Sequence, residues 1–273
     1  MALRSALINV MAAAAQKAAR GLKRDFGEVE NLQVSKKGVS DFVSAADLKA
    51  EKVLRTELEK ARSGFGFLME ESGETKGTEA NGRWIVDPLD GTTNFLHGIP
   101  HFAISIGLEF KGEIVAGMVY APITDELFWA EKGRGAYLND RRLRVSGRAR
   151  LADAVVATGI PHAGRGEPNA YLREMRVVMD QVAGIRRFGA AALDLAWVAA
   201  GRCDAYWETG LSPWDVAAGI LIVSEAGGYV TDMEGGTSMI ESGEVVAAND
   251  QLHAPLLKLL QPARRLSKAA TPG

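Results

Sequence analysis

The chain has 273 residues, of which 47% are hydrophobic and 24% charged, with a formal net charge of −2. This is ordinary globular composition, with core enough for one large domain or two fused halves, and the balanced charge excludes a general attraction to nucleic acid or anionic membrane. The single cysteine, Cys203, excludes an intrachain disulfide and a thiolate zinc cluster, and it fits a reducing cytoplasm with the thiol as a small buried apolar group.

Leu3, Leu7, Val10, Ala14, Ala18, Leu22 and Phe26 recur at helical spacing, which predicts an amphipathic first helix. That pattern outweighs a signal-peptide reading of residues 6–15, and no apolar run is long enough to span a bilayer. S-A-A-D at 44–47 has the spacing of a capping box, so a second helix is predicted from Ser44 through LKAEKVLRTELEKA. The apolar segment FGFLME ends on Glu70 and Glu71, and a polar loop, SGETKGTEANG, follows. WIVDPLDGTTNF reads as a strand broken by Pro88 and Gly91. FAISIGLEFKGEIVAGMVYAP then predicts two strands about a Lys-Gly turn, and ELFWAEKGRGAYLNDRRLRVS another pair.

The second half alternates. A helix near 168–183 leads to a strand at Ile185–Phe188, the helix GAAALDLAWVAAG, the strand CDAYWE and the helix PWDVAAGILIVSEAGG. YVTD and EVVAAN are strands, QLHAPLLKLL is the closing helix, and the sequence from about 262 reads as a frayed tail. The expected organisation is an N-terminal α+β half over 1–150, a C-terminal α/β half over 151–262 and a tail over 263–273. Alternating helices and strands predict helix and sheet layers stacked as an α-β-α-β-α sandwich.

WIVDPLDGTT carries the most chemistry. Asp87 ends an apolar strand, Pro88 forces a turn, Asp90 returns a second carboxylate, and Gly91-Thr92-Thr93 opens a short helix whose free amides suit a phosphate. Paired carboxylates beside an anion-binding helix start point to a hard divalent cation bridging to phosphate, against the plainer reading of a β-turn. Glu70 and Glu71 follow an apolar strand, an expensive place for charge unless it is solvated, paired or metal-bound. Asp215 in S-P-W-D also scores as a plain cap, with Ser212 at N-cap and Pro213 at N1, and Asp47 has a capping reading too. Spacing leaves open whether these acids converge. His97 and His101 are four apart, but Gly98 and Pro100 break any helix between them, so loop or packing roles are expected rather than a zinc pair.

Together GVSDFVSAAD, EES, WIVDPLDGTTNF and LSPWDVAAG resemble the signature segments of the inositol monophosphatase family, and RRFGAAALDLAWVAAGRCDAYWETGLSPWD is most similar to its bacterial SuhB-type members. The resemblance runs from the first helix to QLHAPLLKLL and implies a sugar-phosphatase-like fold. It implies that Glu70, Asp87 and the Leu89 carbonyl hold one Mg2+, that Asp87, Asp90 and Asp215 hold a second, and that a weaker third touches Glu70. Gly91 and Thr92 would bind phosphate through their amides, and Thr92, backed by Asp47, would orient and deprotonate water beside Glu70. Ala191 and Glu208, with Asp90 and Asp215, would line the site for the substrate hydroxyls, and Lys36 aligns with a basic residue near it. Lithium inhibition and a homodimer are implied as well. Met69 and Ala190 depart from the pattern, the second at a position where animal relatives carry a hydroxyl.

The expected function is hydrolysis of inositol 1-phosphate by direct attack of water, without a phosphoenzyme, because phosphoryl transfer needs positioning and charge neutralisation more than a covalent partner. Histidinol phosphate, fructose 1,6-bisphosphate and 3′-phosphoadenosine nucleotides are the rival substrates. A non-catalytic binding or regulatory protein is the rival class, prompted by six arginines between 134 and 150, against the plain reading of a solvated hairpin face.

Overall fold

The computed structural model describes residues 4–28, 34–37, 41–161 and 167–268, with the backbone alone for 34–37, 41–44 and 265–268. The chain opens with α1 (Ala6–Phe26), whose first turn is capped by the Ser5 hydroxyl accepting from the Ile8 amide at 3.2 Å. A hairpin of β1 (Val34–Lys37) and β2 (Asp41–Ser44) leads to α2 (Ala45–Ala61). Next come β3 (Gly66–Met69), β4 (Gly73–Thr75), β5 (Gly82–Asp90) and the one-turn helix α3 (Thr92–Leu96). The antiparallel run β6 (Ala103–Phe110), β7 (Glu113–Ala121), β8 (Glu126–Glu131), β9 (Gly135–Leu138) and β10 (Arg141–Arg142) completes the first sheet. Then follow β11 (Val155–Thr158), α4 (Pro168–Met179), β12 (Gly184–Arg186), α5 (Ala191–Ala199), β13 (Ala205–Thr209) and α6 (Pro213–Glu225). β14 (Tyr229–Thr231), α7 (Met239–Ser242), β15 (Glu244–Ala248) and α8 (His253–Lys268) end the described chain.

Eight strands form one sheet in the order β10-β9-β8-β7-β6-β5-β3-β4, and five form another in the order β12-β11-β13-β15-β14. The layers follow from which face of each strand is apolar. Along β6, Ile104, Ile106 and Leu108 join Trp84, Val86 and the buried faces of α1 and α2 in one core. The opposite face presents Ala103, Val119 and Phe128 to α5 and α6, which also pack on Tyr206, Val245 and Ala247 of the small sheet. The far side of that small sheet, with Val156, Trp207 and Val246, is covered by Tyr171 and Val178 of α4 and Leu256 and Leu260 of α8. The order is helix, sheet, helix, sheet, helix, as the periodicity predicts. The large sheet uses residues up to Arg142 and the small one residues from Val155 onward, yet α5 and α6 give both sheets a shared core.

Several expectations change in detail. Pro88 does not break the strand, because β5 runs on to Asp90 with its irregularity absorbed as a bulge. The polar stretch after Glu71 contains the short edge strand β4, and β1, β2 and β11 form where no strand was expected. The Lys-Gly turn between β6 and β7 holds both Lys111 (φ 55°) and Gly112 (φ 77°) in the left-handed region, the twist a tight hairpin demands. α8 continues through Pro262 to Lys268, past the expected start of the tail, and Arg264 on it pairs with Glu244. Leu3 and the Ser44 side chain lie outside the described residues, so the first position of the helical stripe and the α2 capping box are not addressed.

Candidate active site

Asp87 and Asp90 end β5 in the middle of the large sheet. Asp87 lies opposite Ser105 and Asp90 opposite Ala103, so three steps on β5 match two on β6. The extra residue turns both carboxylates to one side, where unbulged pleating would send them to opposite faces. Asp87 Oδ1 accepts from the Leu89 amide at 2.8 Å, and the Thr92 hydroxyl donates to the Leu89 carbonyl at 2.9 Å. Gly91 caps α3 at φ 91°, and a Cβ there would stand 3.0 Å from the His101 carbonyl oxygen and 3.2 Å from the Ala190 methyl. Glycine is therefore required twice over, for its conformation and for its space.

Asp215 comes from the first turn of α6. Its Oδ2 accepts from the Ser212 amide at 2.7 Å in a capping box, so the cap and a role in the site coexist in one side chain. Glycines in the sheet let α6 approach closely. A Cβ on Gly117 would lie 2.7 Å from the Ala218 carbonyl oxygen, and one on Gly107 3.0 Å from the Ala217 methyl. The Ser105 hydroxyl also donates to the Trp214 carbonyl at 3.0 Å, fixing the end of α6 that bears Asp215. From α5, the Ala192 amide donates to Asp90 Oδ2 at 2.8 Å.

β3 runs parallel to β5 with Met69 opposite Val86, so Glu70, whose amide donates to the Val86 carbonyl at 3.2 Å, falls beside Asp87. Buried Asp47 on α2 approaches the Thr92 hydroxyl at 3.5 Å. Among the described residues the acids form two groups, Asp87, Asp90 and Asp215, and Asp47, Glu70 and Glu71, each with carboxylate oxygens within 4.8 Å of one another. The sequence raises Glu71 only as half of an acidic pair, and the site role expected there falls to Glu70 alone, because neighbouring residues in extended chain normally diverge.

Burial, then the charge of Glu70, Asp90 and Asp215, drives the Asp87 carboxyl well above its ordinary range. Asp90 is raised in the same direction by burial and by Asp215. Buried like charges at this spacing are unfavourable alone, and an all-oxygen donor set is what hard divalent cations take. The residues present thus fit metal ions at both groups.

Glu208 on β13 accepts from the Tyr206 hydroxyl at 2.6 Å, and burial pushes its carboxyl up to about 8. Ala191 opens α5 beside Ala192, the residue bonded to Asp90. Neither histidine joins these two groups: His97 bonds the Thr93 carbonyl at 2.8 Å, and His101 packs on Phe188 and Trp197 with its Nε2 3.7 Å from Asp194 Oδ1. Cys203 is buried, and its thiol is pushed up to about 12, so it stays protonated. Arg134 and Arg150 pair with Glu131 and Asp153, and Arg141 and Arg142 are exposed, as in a solvated hairpin face. The Lys36 side chain lies outside what is described.

The sequence pattern of the inositol monophosphatase family matches residues 3–265. An inositol-1-monophosphatase of Mesorhizobium japonicum is 60% identical over 258 residues, covering 94% of this chain and 97% of that protein. The Nus factor SuhB of Escherichia coli K12 is 41% identical, covering 92% and 94% respectively. A crystal structure of the extragenic suppressor protein suhB from Bartonella henselae superposes with a TM-score of 0.92 at 60% identity, covering 94% of this chain and 99% of that one.

Proposed function

The chain belongs to the inositol monophosphatase family and is a phosphatase, and from that premise we propose Mg2+-dependent hydrolysis of inositol 1-phosphate. The observation that carries the reading is the pair of acidic groups, one of Asp87, Asp90 and Asp215 and one of Asp47, Glu70 and Glu71, with Glu70 and Asp47 near enough to act on Asp87, gathered from α2, the turn after β3, β5 and α6. Asp87, Asp90 and Asp215 would hold one ion, Glu70, Asp87 and the Leu89 carbonyl would hold another, and a weaker third would touch Glu70. Mg2+ held there would supply positive charge to the phosphate oxygens and lower the pKa of the attacking water.

The chain's own residues do the rest. The amides of Gly91 and Thr92, at the start of α3, receive phosphate oxygens. The Thr92 hydroxyl donates to Leu89 or Asp47, which leaves its lone pairs to accept from water beside Glu70. Glu208, Ala191, Asp90 and Asp215 line the side that receives the alcohol, and a carboxyl there suits hydroxyl-bearing substrates. Family likeness extends the reading to lithium inhibition, a homodimer and a cytoplasmic setting. Purified protein assayed with Mg2+ against inositol 1-phosphate, histidinol phosphate, fructose 1,6-bisphosphate and a 3′-phosphoadenosine nucleotide should favour the first. Failure to turn over any cyclitol phosphate overturns the substrate assignment.

A second reading, a binding role on the same fold, is favoured by the Nus factor name of relatives at 41–45% identity. Asp90→Asn separates the two: catalysis should fall by at least ~10²-fold, the scale of losing one electrostatic stabiliser. A cell that needs the protein yet tolerates this variant would favour binding.

A further inference from the structure

We propose that Tyr206 is a positioning residue, a buried phenol that holds the Glu208 carboxyl toward the substrate and so sets the preference for hydroxyl-bearing phosphate esters. The proposal rests on the reading of Glu208 as a substrate-lining group and adds what controls it. Tyr206 and Glu208 stand two apart on β13 and therefore share a face. Tyr206 is fully buried in the core between the two sheets, so its hydroxyl can reach substrate only through another side chain.

A phenol hydroxyl in such a core is costly unless it finds a partner, and phenylalanine would fill the same space without that cost. Its partner is Glu208 Oε2 at 2.6 Å, a short bond from hydroxyl to carboxyl. The carboxyl also lies directly against the bare backbone of Gly159. A Cβ built on Gly159 would lie 1.9 Å from Glu208 Cδ, so only glycine leaves room for the carboxyl where it stands. Glu208 borders a pocket that it shares with Ile160, Tyr171, Glu174 and Leu211, and it lies near enough to Asp215 to feel that carboxylate's charge. With Oε2 engaged by Tyr206, Oε1 is the oxygen offered to a substrate hydroxyl.

The test compares inositol 1-phosphate with p-nitrophenyl phosphate, whose leaving group carries no further hydroxyl. In Tyr206→Phe the ratio of kcat/KM for the two esters should fall about tenfold, mainly through KM for the inositol ester, the scale of one buried hydrogen bond. In a Glu208→Gln background the same substitution should leave the ratio where Glu208→Gln put it. Gly159→Ala, which crowds the carboxyl with the phenol intact, should lower the ratio as well. Equal losses on both esters, or an unchanged ratio in Tyr206→Phe, would overturn the inference while leaving the phosphatase reading intact. A native enzyme with no preference for the inositol ester would instead sink the reading of Glu208 itself.

Discussion

Asp215 shows how one side chain can satisfy two demands, and substitution can separate them. Its carboxylate caps α6 through the Ser212 amide and lies within 4.8 Å of Asp87 and Asp90. Asparagine keeps an acceptor for the cap but removes the charge a cation needs. Asp215→Asn should therefore lower kcat by ~10²-fold or more with little change in melting temperature. Asp215→Ala should lose the same activity and about 1 kcal/mol of stability besides. Paired kinetics and thermal melts check both, and an asparagine variant that retains activity would remove Asp215 from the site. Cys203 gives a simpler expectation. With its thiol pushed up to about 12 by burial, it should resist iodoacetamide in the native protein at pH 8 and react only after denaturation, as mass spectrometry would show.

The site depends on elements as much as on residues, because α6 must sit almost on the backbone of β6 and β7 to bring Asp215 home. Gly107 and Gly117 face each other across that strand pair, and both underlie α6. Gly117→Val would drive a side chain into the Ala218 backbone, costing about 1–3 kcal/mol by overpacking and displacing Asp215. The expected result is a lower melting temperature together with a higher Mg2+ concentration for half-maximal activity. A variant that is destabilised with unchanged Mg2+ dependence would uncouple α6 from the metal site. This seating also marks what sequence could show. The apolar segments on either side of the Lys-Gly turn predict β6 and β7, and S-P-W-D predicts the start of α6, because both signals are local. No local signal says which strand glycines a helix will rest on. Likewise the bulge that turns Asp87 and Asp90 to one side is set by pairing with β6, so Pro88 looked like a strand end from sequence alone. The convergence of Asp47, Glu70 and Asp215 on β5 was legible only through family resemblance.

At the scale of the molecule, the carboxylate cluster makes stability depend jointly on pH and cations. Without metal, Asp87 and Asp90 have folded-state pKa values above those of the unfolded chain, so the folded state binds more protons. Their contribution is complete below about pH 4 and is lost as pH rises through the raised values. His101 acts in the other direction: burial lowers it from 6.5 to about 4, so stability falls as pH drops across that interval. Metal-free protein should thus lose stability on both the acid and the alkaline side. Mg2+ binds the ionised carboxylates and competes with protons, so its stabilisation should grow with pH. At a concentration of about 100 times Kd the expected gain is ~2.7 kcal/mol, or roughly 5–10 °C in melting temperature for a chain of this size. Melts in EDTA and in Mg2+ at pH 6 and pH 8.5 would measure it, with the larger increment at pH 8.5. An increment that is absent, or that shrinks as pH rises, would mean that the buried acids are not the cation site, and the proposed metal assignments would fall with it.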